Sequence, residues 1–96
     1  MKIPTHIRIT EDVTYEVVYV DSFPRKKGQK KTYAECYPKE KQIKLSLDQS
    51  EEEMEKSFIH EVFHCWEYVY KIKIPHGSIH KLEVAVYNTL FTSLFS

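Results

Sequence analysis

The chain has 96 residues, enough for one hydrophobic core of modest depth and too few for a separate substrate lobe. Apolar side chains make up 42% and charged ones 29%, a balance that excludes both a membrane-embedded and a disordered chain. Lysine plus arginine (14) equals aspartate plus glutamate (14), so no net field gathers nucleic acid or anionic lipid.

The opening stretch, MKIPTHIRIT, carries no apolar run of signal-peptide type and meets Pro4 early, and no segment approaches membrane-spanning length. A cytoplasmic protein with no membrane partner is therefore expected, folded as a single domain over residues 1–96. Ile7 to Thr10, Tyr15 to Asp21, Lys31 to Tyr37 and Gln42 to Leu47 are rich in β-branched and aromatic residues and read as strands. In the last of these Ile43, Leu45 and Leu47 alternate against Lys44 and Ser46, the pattern of a sheet with one covered face.

Between the second and third strands lies a basic run, Arg25, Lys26, Lys27, Lys30 and Lys31, around Pro24 to Gln29 with Gly28 near its tip. A solvated hairpin loop accounts for it, and no aromatic residue interrupts it as base stacking would favour, so nucleic acid is not the expected partner. Pro38-Lys39-Glu40-Lys41 reads as the tight turn of a second hairpin. The expected sheet is thus small and antiparallel, of three to four strands.

The acidic block Asp48, Glu51, Glu52, Glu53 and Glu55 marks a helix start, because Ser50 followed by Glu53 makes a capping box and carboxylates suit the positive end of the helix dipole. Met54, Phe58, Val62, Cys65, Trp66 and Val69 then recur at helical spacing to about Tyr70. After Pro75 and Gly77 a second helix begins, at Pro75 or Ser78, with Ile79, Leu82, Val86, Leu90 and Leu94 as its inward stripe. The resulting class is α+β: the sheet, then the two helices packed on one face. Cys36 and Cys65 have no zinc-knuckle or CxxC spacing and are expected as reduced, partly buried thiols.

On the first helix His60 and His64 stand one turn apart, so their imidazoles can meet at one metal ion, while Glu61 projects beside them, placed to touch a metal-bound water. Glu83 lies within the apolar stripe of the second helix, where a carboxylate needs a compensating partner, and is the candidate third ligand. His80 and His76 compete with it for that role. Glu67, three residues after His64, cannot converge with both histidines on one ion along a continuous helix and is set aside as a ligand. The longer HExxHxxGxxH pattern fails because Glu67 and Tyr70 occupy its glycine and third-histidine positions.

His60, Glu61 and His64, followed by Glu83 on the next helix, resemble the zinc-binding pattern of gluzincins, and the small size resembles minigluzincins and short zinc-peptidase-like proteins of phages and mobile elements. The order of sheet, HExxH helix, Ile-Pro-His segment and glutamate-bearing helix is also similar to the catalytic cores of the ImmA/IrrE and SprT-like groups. The resemblance covers the second half of the chain well and the strands by order and spacing alone. It implies a zinc metalloendopeptidase that binds one Zn2+ through His60, His64 and Glu83 and uses Glu61 as its base; an exposed edge of the sheet is expected to take unfolded or extended polypeptide as an added strand. His76, His80, Tyr68 and Tyr87 are the candidates for steadying the oxyanion. The alternative is a zinc-stabilised binding module that holds the same ion without turnover.

Overall fold

In a computed structural model, which describes residues 3–25 and 27–91, the first pair of strands is a hairpin. β1 (His6–Thr10) runs antiparallel to β2 (Val13–Val20), with Ile7 opposite Tyr15 and Arg8 opposite Thr14. Asp12 closes the turn by donating its backbone N–H to Thr10 Oγ1 at 3.2 Å. β3 (Ala34–Tyr37) and β4 (Gln42–Ser46) form the second hairpin, with Cys36 opposite Ile43. Its turn falls at Pro38–Lys41 as the sequence predicts: Lys41 adopts a left-handed conformation (φ 53°) and donates its N–H to Pro38 O at 3.3 Å.

The two hairpins join differently from the expected antiparallel sheet. The strand order is β1-β2-β4-β3, and β2 runs parallel to β4, pairing Val17 with Ile43 and Tyr19 with Leu45. The sheet is therefore mixed. The physical reason is the long connection after β2: it carries the chain past the position beside that strand, and the return strand β4 fills it. Pro24, Arg25 and Lys27 to Gln29 accordingly belong to an exposed crossover and not to a hairpin loop. Of its basic run, Lys31 pairs with Asp48 and stands 5.4 Å from the centre of the Tyr33 ring, while Lys26 lies outside the described residues.

One face of the sheet carries the core. Ile9, Tyr15, Val17, Ile43 and Leu45 are buried there against Phe58, Ile59, Phe63 and Cys65 of α1 (Glu51–Tyr70) and Ile79 of α2 (His76–Val86). Each such aliphatic or aromatic side chain contributes about 1.5–3 kcal/mol by leaving water. The alternation expected for β4 holds at Ile43 and Leu45 and then fails, since Leu47 is 53% exposed and Ser46 is fully buried. β4 ends at Ser46, whose hydroxyl donates to Asp21 O and accepts from Asp48 N–H, so the chain is already turning toward α1 when it reaches Leu47.

α1 starts where the capping argument puts it. Ser50 has extended backbone angles and its side chain accepts from Glu53 N–H at 3.2 Å, with Glu51, Glu52 and Glu53 in the first turn. Its buried arc is wider than the predicted stripe: Ile59 and Phe63 join Phe58 and Cys65, and Trp66 stays 38% exposed with its ring edge-on to Phe63. Lys71, in a left-handed conformation (φ 55°), ends the helix. Tyr70 then ties that end to the sheet by donating its hydroxyl to Ile9 O at 2.8 Å.

Pro75 precedes α2, which turns its Ile79 into the core, while Leu82 and Leu90 of the predicted stripe are exposed and Leu94 lies outside the described residues. The α-helix runs to Val86, where Tyr87 N–H is shared between Glu83 O and Val84 O, and a wider π turn follows over Tyr87–Phe91.

Candidate functional site

Because α1 lies across the sheet with its middle beside the edge strand β3, the residues of the HExxH segment look out along a cleft between helix and strand. One half of the cleft is lined by Glu35, Cys36 and Pro38 on the strand side and by Glu61, His64, Glu67 and Tyr68 on the helix side. The other half is bounded by Thr32, Tyr33 and Ala34 and by His60, Glu61, His80 and Glu83. Ala34 on the strand side and Glu61 on the helix side are common to both halves.

The two histidines converge as the one-turn spacing requires. His60 Nε2 and His64 Nε2 are 2.9 Å apart, with the rings nearly perpendicular at 73°. Each ring is held from behind by a carboxylate. His60 Nδ1 lies 2.5 Å from Glu83 Oε1, and His64 Nδ1 lies 2.8 Å from Glu67 Oε1. A carboxylate only accepts, so both Nδ1 atoms act as the N–H donors. In the neutral tautomers this leaves two Nε2 lone pairs facing each other, a repulsive contact that a cation between them relieves.

Glu67 does more than bind the ring. Its second oxygen accepts Ile74 N–H at 2.9 Å, so one carboxylate joins the end of the HExxH helix to the segment leading into α2. The Ile74 amide, and after it the His64 imidazole, hold the Glu67 carboxyl below the usual carboxylate range. Glu83, in turn, contacts two rings, His60 and, at 3.5 Å, the exposed His80.

Glu61 has a different environment. Only 7% of it is exposed, and burial raises its pKa against the opposing pull of His60 and His64. A carboxyl raised by burial in a cleft is the kind of group that can take up and return a proton. Of the four candidates for an oxyanion partner, Tyr68 lines one half of the cleft and His80 the other. Tyr87 packs instead against Phe91 and under Lys56, and His76 is exposed at the start of α2.

His60, Glu61, His64 and Glu83, all singled out from sequence, are thus brought together. Among the described residues, no three His, Cys, Asp or Glu side chains are arranged around a common point as metal ligands, because Glu83 meets His60 on Nδ1 and not on the side facing His64. The donor chemistry nonetheless suits zinc: two imidazole nitrogens with converging lone pairs and a carboxylate in contact with one of the rings. Sequence reasoning excluded Glu67 as a ligand and missed its part as an orienting partner. The available signal was its position three residues after His64, on the same helical face.

A pair of cysteines meets beside the cleft, of which Cys36 alone lines it. Cys36 of β3 and Cys65 of α1 bring their sulfurs to 3.2 Å, with Cys65 wholly buried. The sequence predicts reduced, partly buried thiols and gives no sign that they meet; both are free here. Comparison of the chain with protein-family models, with curated proteins and with solved structures gives no match in any of the three.

Proposed function

We propose that this chain is a zinc metallopeptidase that hydrolyses extended polypeptide, with His60, His64 and Glu83 holding the metal and Glu61 serving as the base. The observation that carries the reading is the facing pair of Nε2 atoms 2.9 Å apart, with His64 fixed from behind by Glu67 and Glu83 in contact with His60. Carboxylate-backed histidines of this kind are the usual way a protein fixes the tautomer that leaves Nε2 free for a metal. Zinc bound there supplies a Lewis acid and lowers the pKa of its water toward about 7.

The remaining chemistry belongs to the chain. Glu61, buried and common to both halves of the cleft, takes the proton of the attacking water and returns it to the leaving amine. Glu67 holds the His64 imidazole in position, and Glu83, which here accepts from His60 Nδ1, would turn from that nitrogen to serve as the third ligand. β3 is an edge strand with β4 on one side, so its other side can accept an added strand through main-chain hydrogen bonds. Such a substrate would cross directly in front of Glu61, and recognition through its backbone would favour unfolded or extended chains over particular sequences. No helix among the described residues is long and apolar enough to cross a membrane, and two free thiols suit a reducing, cytoplasmic compartment.

Elemental analysis of zinc-loaded protein tests the assignment. One zinc per chain is expected in the wild type and in Glu61→Gln, with loss in His60→Ala, His64→Ala and Glu83→Ala. Retention of zinc in His60→Ala would overturn the site. Stoichiometric zinc without any peptide cleavage would instead make the chain a zinc-stabilised binding module.

A further inference from the structure

We propose that Cys36 and Cys65 are a peroxide-responsive thiol pair that closes reversibly into a disulfide across the interface of β3 and α1. The two sulfurs lie 3.2 Å apart although the residues are 29 positions apart in sequence. A disulfide needs about 2.05 Å between sulfurs, so closure requires roughly one ångström of approach. Neither cysteine has a part in the proposed hydrolysis, and the inference does not rest on that reading.

Access to the two thiols is unequal in the way such a pair needs. Cys36 is half-buried on the edge strand and lines the cleft beside Glu61 and His64, where a small oxidant can reach it. Cys65 is 0% exposed beneath it, so it meets only what Cys36 presents. A sulfenic acid formed at the accessible sulfur therefore finds the buried thiol already in contact, and is intercepted before further oxidation.

The oxidant is a hydroperoxide. The Cys36 sulfur attacks one peroxide oxygen, the O–O bond breaks, and the departing hydroxide takes up the thiol proton as water, leaving Cys36 as a sulfenic acid. The Cys65 sulfur then attacks the Cys36 sulfur, the S–O bond breaks, and hydroxide leaves with the Cys65 proton as a second water. Two thiols and one hydrogen peroxide become one disulfide and two waters, with two electrons passing from sulfur to oxygen. Two equivalents of a low-molecular-weight thiol restore both cysteines by exchange and leave as their own disulfide.

The bond would fasten the edge strand to the helix next to Glu61 and close a long loop of chain. The melting midpoint should rise on the order of 10 °C on oxidation, from the usual effect of such a crosslink in a domain of this size.

The test uses the full chain, free of metal, treated with hydrogen peroxide, then alkylated and digested without reductant for mass mapping. The expected result is a Cys36–Cys65 linked peptide within a monomer that has lost two hydrogens, with dithiothreitol returning the mass and the melting midpoint. In Cys65→Ala, Cys36 should stop as a dimedone-trapped sulfenic acid, and in Cys36→Ser, Cys65 should stay reduced. If Cys65→Ala does not fold, the wild-type and Cys36→Ser maps decide alone. Cys36 oxidised to sulfinic acid beside a reduced Cys65, a disulfide between chains, or two intact thiols after peroxide treatment would each overturn the pairing.

Discussion

Replacing Glu67 by Gln separates the orienting role of this residue from its bulk. The carboxylate accepts two hydrogen bonds, from His64 Nδ1–H at 2.8 Å and from Ile74 N–H at 2.9 Å, and an isosteric amide has a single oxygen to offer. With that oxygen kept on the Ile74 amide, the NH2 group faces His64 Nδ1 and draws its lone pair. The imidazole proton moves to Nε2, the atom 2.9 Å from His60 Nε2, and a protonated Nε2 cannot bind a metal. Loss of such a partner weakens metal binding by roughly 10- to 100-fold. That corresponds to about 1.4–2.7 kcal/mol of binding free energy. Competition with a chromophoric zinc chelator at neutral pH measures the affinity, and long-range nitrogen–proton NMR of the metal-free protein reads the tautomer directly. Zinc affinity within twofold of wild type, with the proton still on His64 Nδ1, would refute the orienting role.

Three further outcomes follow from the fold. Ser50→Ala removes the acceptor of Glu53 N–H at the start of α1 and should cost about 1 kcal/mol, a fall in melting midpoint of roughly 4–8 °C, measured by thermal denaturation. Leu45→Ala, at a fully buried position facing α1, should cost about 2–5 kcal/mol in a chemical denaturation series. Burial pushes the Tyr15 phenol up to about 12, so the folded chain holds this proton more tightly than the unfolded one. Its contribution to stability is complete below about 10, where both states are protonated, and is lost as pH rises toward 12. Tyr15→Phe should therefore flatten the loss of stability across that interval, as followed by denaturant midpoints at stepped pH.

What could be read from the residues was local. The Ser50 cap, the Pro38–Lys41 turn and the one-turn spacing of His60 and His64 each depend on interactions within about one turn of chain, and each is found where the sequence puts it. The parallel pairing of β2 with β4 depends on where a thirteen-residue connection lands, residues 21–33, and no alternation of side chains encodes that. Leu47 misled for a related reason: the hydrophobic period continued for one residue after the strand had turned away. Within the site, His60, Glu61 and His64 carry a signal in the one-turn spacing of the HExxH segment, and Glu83 carries one as a carboxylate within an apolar stripe. The meeting of Cys36 with Cys65 has none and emerges only when β3 and α1 are packed together, and the Glu67 bond to Ile74 needs the approach to α2, whereas the His64–Glu67 contact lies within the i,i+3 spacing of α1.

Glu61, placed beside two converging histidines, is the residue proposed to make this cleft hydrolytic. Zinc-loaded wild type and zinc-loaded Glu61→Gln, incubated with an unfolded polypeptide and followed by mass spectrometry of new termini, test that role most directly. Cleavage is expected in the wild type, abolished by a chelator and reduced by at least roughly 100-fold in Glu61→Gln while zinc remains bound. Equal cleavage by the two proteins, or none by either at full zinc occupancy, would contradict it.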